Sequence, residues 1–467
     1  MKKIFLTTAI FIAISNFCFS RVENETVKAN SEYEKSTINM LEAAANGDFE
    51  KARIDFDSTM LKALSAQQFQ LFWMQLQLQY GKFISVSDFS ESQKLENNIF
   101  IFSKIIFEHA SIKLRTVTTQ NKETNKIEII GFFIDEVIKT ENTEYVDAEY
   151  VDKSKFEEMA IDLPFEVILY SKLTIPIGLS ENQKVPCVVL VHGSGPSDFD
   201  LTIFNNKPFR DIAYGLSSNG IAVLRYNKRT FVDENIDVEN LTINEETVFD
   251  AVEAVKFLKK NYSAQIGKIY VLGISLGGYA LPRIANLLDC KHIENCADGF
   301  ISLAGSVRGL GDLLVEQFEY LYGLNKQDAE TQETKNYIDS LKNIEIAKAK
   351  RLQKNDFDKN TPSDSLPLGM PARYLLDLAD YNPAKEFAKE TRPILFLQGK
   401  RDYQVTVKDF DLWKKELGKK PNCTFILFDD LNHIMQAGTG KSKPSEYSEK
   451  KNVDKQVIDA IVKWIQR

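Results

Sequence analysis

Residues 269–285 read IYVLGISLGGYALPRIA, and this stretch points to the fold class. Its first four residues are apolar, as in a buried strand, and the apolar spacing after Leu276 is typical of a helix. Gly273 and Gly277 flank Ser275 in the pattern G-x-S-x-G, because side chains in so tight a strand-to-helix turn would collide with neighbouring backbone. Such a turn lifts the serine hydroxyl to the carboxyl edge of a sheet, at the N-terminus of a helix. We therefore predict that Ser275 is a nucleophile; the alternative is a glycine-rich turn that only packs.

The residues from 155 to 467 alternate strand-like and helical segments. The run 185–191 is continuously apolar, which is typical of a strand buried on both faces. Further strands are predicted at 220–226, 269–272, 299–303, 393–397 and 424–428. Helices are predicted at 208–216, 248–258, 276–288 and 453–464. This order predicts βαβ units, and so an α/β fold with a mainly parallel twisted sheet and helices on both faces.

The segment 306–390 interrupts this alternation. It is too long for a single connection and contains helical stretches at 313–322 and 330–352. Inserts of this length within compact domains commonly form active-site lids. We predict a helical lid at about 306–390.

A serine hydroxyl needs a neighbouring base to act as a nucleophile. On this kind of fold the order along the chain is serine, acid, histidine, and only His292 and His433 follow Ser275. His433 comes just past the strand at 424–428, at the edge of the sheet where sites of α/β proteins gather. His292 lies in a polar loop. We predict His433 as the base, with His292 as the alternative.

The acid that orients the histidine should follow an earlier strand. Asp402 lies just after the strand at 393–397, and Asp429 and Asp430 are its competitors. These two are too close to His433 in sequence to face it from another strand. We predict Asp402 as the acid, and expect the neighbouring Lys400 and Arg401 to be solvated.

Acyl transfer also requires hydrogen-bond donors for the oxyanion. The N–H after the nucleophile, that of Leu276, is one candidate. The loop after the strand at 185–191 reads HGSGP from His192, and its glycines allow N–H groups to turn inward. We assign the second donor to Ser194 and a structural role to His192.

The N-terminal part has a different pattern. Helices are predicted at 31–45 and 48–64, and a capping box from Ser65 to Gln68 begins a third that ends at Gly81. Strands are predicted at 98–107, 111–119 and 126–134. Residues 21–140 are therefore predicted to form a small α+β domain, whose aromatic helix face is core rather than a ligand pocket. The polar, acidic segment 141–154 is the predicted linker.

The first twenty residues are typical of a secretory signal peptide. Lys2 and Lys3 precede the short apolar run 4–14, and Cys18-Phe19-Ser20 offers a cleavage site after Ser20. We predict export to the periplasm or medium; an uncut anchor and a lipidated Cys18 are the alternatives. In an exported protein Cys290 and Cys296 could form a disulfide, whereas Cys187 and Cys423 are expected to be buried thiols.

The composition is that of an ordinary globular protein. The chain has 467 residues, 43% of them hydrophobic and 27% charged, which excludes a multi-span membrane protein and a disordered or collagen-like chain. The formal charge of -8 argues against nucleic acid as a partner, because phosphate binding needs a basic face. The chain has four histidines, and they are not spaced with the cysteines as metal ligands are. We therefore predict no metal site and expect no cofactor.

Several motifs resemble the exported carboxylesterase branch of the α/β-hydrolase superfamily, which is related to dienelactone hydrolases and prolyl-oligopeptidase-type enzymes. They are the segments 189–200, 206–216, 220–229, 273–278, 399–405 and 431–433, with Glu446-Tyr447 and Asn452-Val453. The resemblance covers residues 155–467. It implies a Ser-His-Asp hydrolase of short-chain esters, with Ser275 as nucleophile, Asp402 as acid and His433 as base. Asn227 stands where the family has an aspartate, and Ser275 where dienelactone hydrolases have cysteine.

The N-terminal domain resembles the cone-shaped, nuclear-transport-factor-like domains of some exported hydrolases, from which no activity transfers. The sequence thus predicts an exported serine carboxylesterase whose partner is a small ester, with no stable membrane span after signal cleavage. A peptidase, amidase or thioesterase with the same triad is the nearest alternative. A non-catalytic envelope binding protein is an alternative of another class.

Overall fold

The computed structural model describes residues 31–467 apart from 82, 96–97, 109, 140–144, 181, 234–235, 289–295 and 329–331. The predicted signal peptide, Cys290 and His292 lie outside the described residues. The described chain divides into two compact units. One comprises Tyr145–Tyr320 and Leu341–Arg467, and the other the described residues within 31–139 and 321–340. In the described part of the chain, no helix is both long and apolar enough to cross a membrane.

The N-terminal unit places four helices before an antiparallel sheet. The helices are α1 (Glu32–Ala45), α2 (Phe49–Ala52), α3 (Ser58–Ala63) and α4 (Ala66–Tyr80). The strands β1 (Phe83–Leu95), β2 (Asn98–Phe107), β3 (Ala110–Gln120) and β4 (Ile127–Lys139) pair in that order. Phe69, at 1% exposed, contacts the rings of Phe49, Phe56 and Phe132, so the aromatic face of α4 is core. The small α+β fold is therefore confirmed.

Two features of this unit differ from the prediction. A single helix over 48–64 was wrong, because Phe56 forms a β-bridge with Ile129 and separates α2 from α3. The strand β1 was not predicted, since serine and other polar residues make up most of its sequence. The capping box that begins α4 is confirmed: the Ser65 hydroxyl accepts from the Gln68 N–H, and the Gln68 side chain accepts from the Ser65 N–H.

The larger unit is built on an eight-stranded sheet. Its strands are β5 (Phe156–Pro164), β6 (Ile168–Pro176), β7 (Val185–Val191), β8 (Ala222–Tyr226), β9 (Ile266–Ile274), β10 (Gly299–Leu303), β11 (Ile394–Gly399) and β12 (Cys423–Phe428). Their spatial order is β5-β6-β8-β7-β9-β10-β11-β12. The six strands β7 to β12 are parallel, and β5 and β6 add an antiparallel edge. The mainly parallel sheet is confirmed.

Helices alternate with these strands along the chain. They are α5 (Pro208–Ser217), α6 (Arg229–Val232), α7 (Phe249–Asn261), α8 (Leu276–Leu287), α9 (Leu310–Asp328), α10 (Gln332–Gln353), α11 (Ala372–Ala379), α12 (Pro383–Phe387), α13 (Val407–Leu417) and α14 (Lys455–Ile465). The segment 306–390 thus carries the four helices α9 to α12, of which the last two were not predicted. A π-helical turn at Asn244–Val248 leads into α7.

The beginning of the larger unit is held by two tyrosines. The Tyr145 hydroxyl donates to Asp211 of α5 at 2.6 Å, and the Tyr150 hydroxyl donates to the Val453 carbonyl at 2.8 Å. Asp147 also pairs with Arg210 at 2.9 Å. The chain is therefore attached to this unit from residue 145 onward, ahead of its first strand.

Candidate active site

Ser275 occupies the turn between β9 and α8 with a strained backbone. Its φ of 54° and ψ of -116° lie outside the regions that non-glycine residues favour. The Ser275 N–H donates to the Leu303 carbonyl of β10 at 2.9 Å, and its carbonyl accepts from the Tyr279 N–H at 3.0 Å. Strain of this kind costs about 1–3 kcal/mol and persists where the surroundings enforce it. The turn therefore holds the backbone of half-buried Ser275 in one conformation at the end of β9.

The glycines around Ser275 are required by close backbone contacts. A Cβ on Gly277 would lie 2.5 Å from the Val191 carbonyl oxygen, and one on Gly278 would lie 2.7 Å from the Cα of Gly305. A Cβ on Gly273 would lie 2.7 Å from the Gly278 nitrogen. Side chains at these positions would push the elbow away from the neighbouring strands.

We expect Gly277→Ala to lower the free energy of unfolding by about 2 kcal/mol or more, because the added methyl overlaps the backbone of β7. The matched control is Gly323→Ala in α9, where an added Cβ would meet nothing within 4 Å. That change should raise stability by up to about 1 kcal/mol through helix propensity. Thermal unfolding of both variants tests this; equal unfolding temperatures would contradict the packing argument.

His433 and Asp402 form a buried pair. The His433 Nδ1 lies 2.7 Å from Asp402 Oδ2, and both side chains are at most 1% exposed. A carboxylate accepts there, so the imidazole Nδ1 carries a proton, and in the neutral tautomer with that proton the lone pair lies on Nε2. A glycine at 399 allows the close approach of these two loops, since a Cβ there would lie 2.7 Å from the Leu431 carbonyl carbon.

The Asp402 carboxylate accepts from three further donors. Oδ1 accepts from the N–H groups of Gln404 at 2.8 Å and Val405 at 3.0 Å, and Oδ2 accepts from Gln398 Nε2 at 3.0 Å. These bonds fix the plane of the carboxylate and so the plane of the imidazole. The competitor Asp429 pairs with Lys400 and its side chain is 81% exposed. The contact of Gln398 with Asp402 was not predicted from the sequence. The only signal for it was a polar residue at the end of a buried strand.

Arg401 corrects a sequence expectation. Its side chain is 5% exposed rather than solvated, and its guanidinium donates to both oxygens of Glu446 at 2.7 Å and to the Gly440 carbonyl. The loop that carries Asp402 is therefore tied to the loop after His433.

The loop after β7 lies directly over Ser275. A Cβ on Gly193 would lie 3.2 Å from the Ser275 Cβ and 3.8 Å from its Oγ. The N–H groups of Ser194 and Leu276 have no acceptor among the described residues. His192 Nε2 lies 2.9 Å from the Asp198 carbonyl, and burial lowers the pKa of this histidine to about 3. His192 is therefore neutral and holds the loop.

A small cavity lies above Ser275. Its volume is about 50 Å³, and it is lined by Ser194, Ser275, Leu276, Tyr279, Ser306, Arg308, Leu310, Leu313, Gln317, Tyr374, Leu378, Gln404 and Val405. Because the N–H groups of Gln404 and Val405 also bind the Asp402 carboxylate, the loop that carries Asp402 and the turn that carries Ser275 meet at this cavity. Among the described side chains, no cluster of three or more His, Cys, Asp or Glu could hold a metal ion.

One relative identifies the family. The chain is 40% identical over 419 residues to the esterase EstD of Thermotoga maritima. The aligned region covers 90% of this chain and 92% of that protein. The chain belongs to the α/β-hydrolase esterases. This family membership confirms the resemblance drawn from the motifs, and the enzyme is a carboxylic ester hydrolase. A search of models of protein families returned no match.

Solved structures with a similar fold are more distant from this esterase. Est1E from Butyrivibrio proteoclasticus is 16% identical, with 66% of this chain and 97% of that chain covered and a TM-score of 0.42. The acylaminoacyl peptidase of Pyrococcus horikoshii is 13% identical, with 82% and 56% covered and a TM-score of 0.41.

Proposed function

We propose that this esterase is an exported serine carboxylesterase that hydrolyses short-chain esters through an acyl-enzyme on Ser275. The observation that carries the proposal is the strained serine turn beneath two N–H groups that have no acceptor among the described residues. The buried His433–Asp402 pair supplies the base and its orientation.

In the first half-reaction His433 Nε2 accepts the proton of Ser275 as its Oγ attacks the ester carbonyl carbon. The resulting oxyanion accepts hydrogen bonds from the N–H groups of Leu276 and Ser194. When the ester C–O bond breaks, the imidazolium returns its proton to the departing alcohol. Asp402 stays ionised and stabilises the imidazolium.

In the second half-reaction water replaces the alcohol. His433 takes a proton from the water as its oxygen attacks the acyl carbon, and the same two N–H groups hold the second oxyanion. Breaking the acyl–Oγ bond returns the proton to Ser275 and releases the carboxylic acid. The enzyme's own side chains supply every proton transfer in this cycle.

The cavity limits the acyl group. About 50 Å³ is far below the 300–1,000 Å³ of a drug-sized pocket, so it suits an acetyl or similarly short chain. Leu310, Leu313 and Leu378 supply its apolar wall.

We expect Leu378→Ala to extend the range of acyl chains, because the leucine is 6% exposed and lines the cavity from α11. The ratio of kcat/KM for p-nitrophenyl hexanoate to that for the acetate should rise about tenfold, since one or two methylenes are worth this much in an apolar pocket. Leu376→Ala is the control: this residue lies on the same helix, is 38% exposed and does not line the cavity. An unchanged ratio in the first variant would contradict the assignment of the acyl site.

A fluorophosphonate probe tests the proposed nucleophile directly. We expect one covalent adduct, located on Ser275 by peptide mass spectrometry, with loss of activity in proportion to labelling. A folded protein that is not labelled would instead favour the non-catalytic binding protein. Comparing p-nitrophenyl acetate with an acetyl-peptide p-nitroanilide separates an esterase from an amidase with the same triad.

Export is proposed from the sequence of the first twenty residues. The full chain, expressed in a Gram-negative host, should appear in the periplasm or medium with its N-terminus at Arg21. Replacement of Lys2 and Lys3 by glutamate should retain it in the cytoplasm. A periplasmic protein that begins at a lipidated Cys18, or one that keeps its first residues, would contradict cleavage after Ser20.

A further inference from the structure

A lysine is buried beneath the loop that passes over Ser275. Lys228 follows β8 and is 2% exposed. Its ammonium donates to the Gly193 carbonyl oxygen at 2.8 Å and forms an ion pair with the carboxylate of Glu246. The Glu246 carboxylate also accepts from the Tyr374 hydroxyl of α11. The lysine therefore joins the loop after β7 to the π-helical turn before α7 and, through Glu246, to α11 of the segment 306–390.

The contact with the Gly193 carbonyl sets the direction of the Ser194 N–H. The two groups belong to one peptide unit, and no cis peptide bond occurs among the described residues. In a trans peptide the C=O and N–H bonds point in opposite directions. A donor that holds the carbonyl on one side therefore aims the N–H to the other side. Ser194 lines the cavity that contains Ser275, and its N–H has no acceptor among the described residues.

The carbonyl partner is a charged donor, which is stronger than a neutral one. An ammonium in the interior requires a compensating anion, and Glu246 supplies it at 5% exposure. Burial and the nearby Glu246 carboxylate raise the pKa of Tyr374 well above its usual value, so the phenol stays protonated and donates. The lysine is thus held from two directions, by Glu246 and by the carbonyl it binds.

Backbone hydrogen bonds hold the rest of the loop against the same segment. The Lys228 N–H donates to the Ser197 carbonyl at 3.0 Å, and the Asn227 side chain accepts from the Phe199 N–H at 2.7 Å. Asn227, which departs from the family pattern, is therefore a neutral acceptor for the loop. The next residue, Lys228, is positively charged, and its ammonium reaches the Gly193 carbonyl.

We propose that Lys228 is a positioning residue for the reaction: its ammonium holds the Gly193–Ser194 peptide so that the Ser194 N–H faces the forming oxyanion. The hydrogen bond also draws electrons from the carbonyl, which makes that N–H a stronger donor. This inference rests on the proposed function of Ser275 and Ser194. It assigns to Lys228 an effect on the transition state and none on substrate binding.

Two variants that both lack the ion pair isolate the contact with Gly193. Glu246→Gln removes the anion but keeps the lysine, whose Nζ still donates to the carbonyl. Lys228→Met combined with Glu246→Gln removes both charges and the donor, and leaves no unpaired buried charge. We expect kcat for p-nitrophenyl acetate to fall about 10- to 100-fold more in the double variant. This is less than the roughly 10²–10³-fold loss caused by removing an oxyanion-hole donor, because the Ser194 N–H itself remains. KM should be equal in the two.

A transition-state analogue gives a readout that a general structural defect would not produce. The affinity for a trifluoromethyl ketone, which forms a tetrahedral adduct with the serine, should fall by the same factor as kcat/KM. The control is Arg229→Met with Asp250→Asn, which removes the neighbouring pair at 2.7 Å without a contact to Gly193. We expect this control to keep the kcat and ketone affinity of the wild type.

The outcomes separate this inference from the proposed function. Equal kcat in Glu246→Gln and the double variant, or a loss confined to KM, would overturn the role of Lys228 while leaving Ser275 as nucleophile. A wild-type protein that no fluorophosphonate labels would overturn both. If the double variant does not fold, Lys228→Gln with Glu246→Gln replaces it: its amide is one bond shorter, so kcat should fall at unchanged KM, and full kcat would overturn the inference.

Discussion

Replacement of Ser275 with alanine is expected to lower kcat for p-nitrophenyl acetate by roughly 10⁴- to 10⁶-fold. The methyl group cannot form the acyl-enzyme, so only transition-state binding by the Leu276 and Ser194 N–H groups would remain. Initial rates at saturating substrate, measured against enzyme-free buffer, give the residual activity. Thermal unfolding should be close to that of the wild type, because alanine accepts the same backbone angles as serine.

The fluorophosphonate adduct should disappear in this variant together with the activity. Activity above about 1% of the wild type would be far more than a missing nucleophile permits, and would assign the chemistry to another group. The unfolding temperature is measured on the same preparation, because a loss of activity shows loss of the nucleophile only when the protein remains folded.

Asp402→Asn is expected to lower kcat/KM by roughly 10⁴-fold while leaving the loop folded. The N–H groups of Gln404 and Val405 require an oxygen at Oδ1, so the amide nitrogen would face His433 Nδ1. An NH₂ donor there favours the tautomer with its proton on Nε2. That tautomer cannot accept the Ser275 proton, which is why a change of one atom should cost so much.

Asp429→Asn is the matched control for this prediction. Asp429 is the other sequence candidate, and its exposed carboxylate pairs with Lys400. Surface pairs of this kind contribute about 0–1 kcal/mol, so the variant should keep wild-type kcat/KM and stability. Steady-state kinetics of both variants decide between the two acids; a large loss in Asp429→Asn with none in Asp402→Asn would reverse the assignment.

Much of the larger unit could be predicted because its sequence signals are local. The glycines around Ser275 belong to one short motif between an apolar run and a helical pattern, and the buried strands read as continuous apolar runs. Prediction failed where a distant residue changes the local structure. Phe56 breaks a helical pattern because it pairs with Ile129, and the polar strand β1 is held by its pairing with β2.

The candidate site divides in the same way. The sequence by itself identified Ser275, Asp402 and His433 as candidates, because their order and their positions at strand ends are properties of the chain. It also placed the chain among the α/β-hydrolase esterases. The catalytic roles of Ser275, Asp402 and His433 are predictions that the variants above test.

Only the tertiary structure decided which partners the charged groups have and how much space surrounds the serine. Nothing in the local sequence distinguishes buried Arg401, which pairs with Glu446, from exposed Lys400 beside it. The contact of Lys228 with the Gly193 carbonyl joins residues 35 apart, and the cavity is closed by side chains from several helices. Burial and long-range hydrogen bonds depend on how the elements pack, so they appear only when the chain is folded.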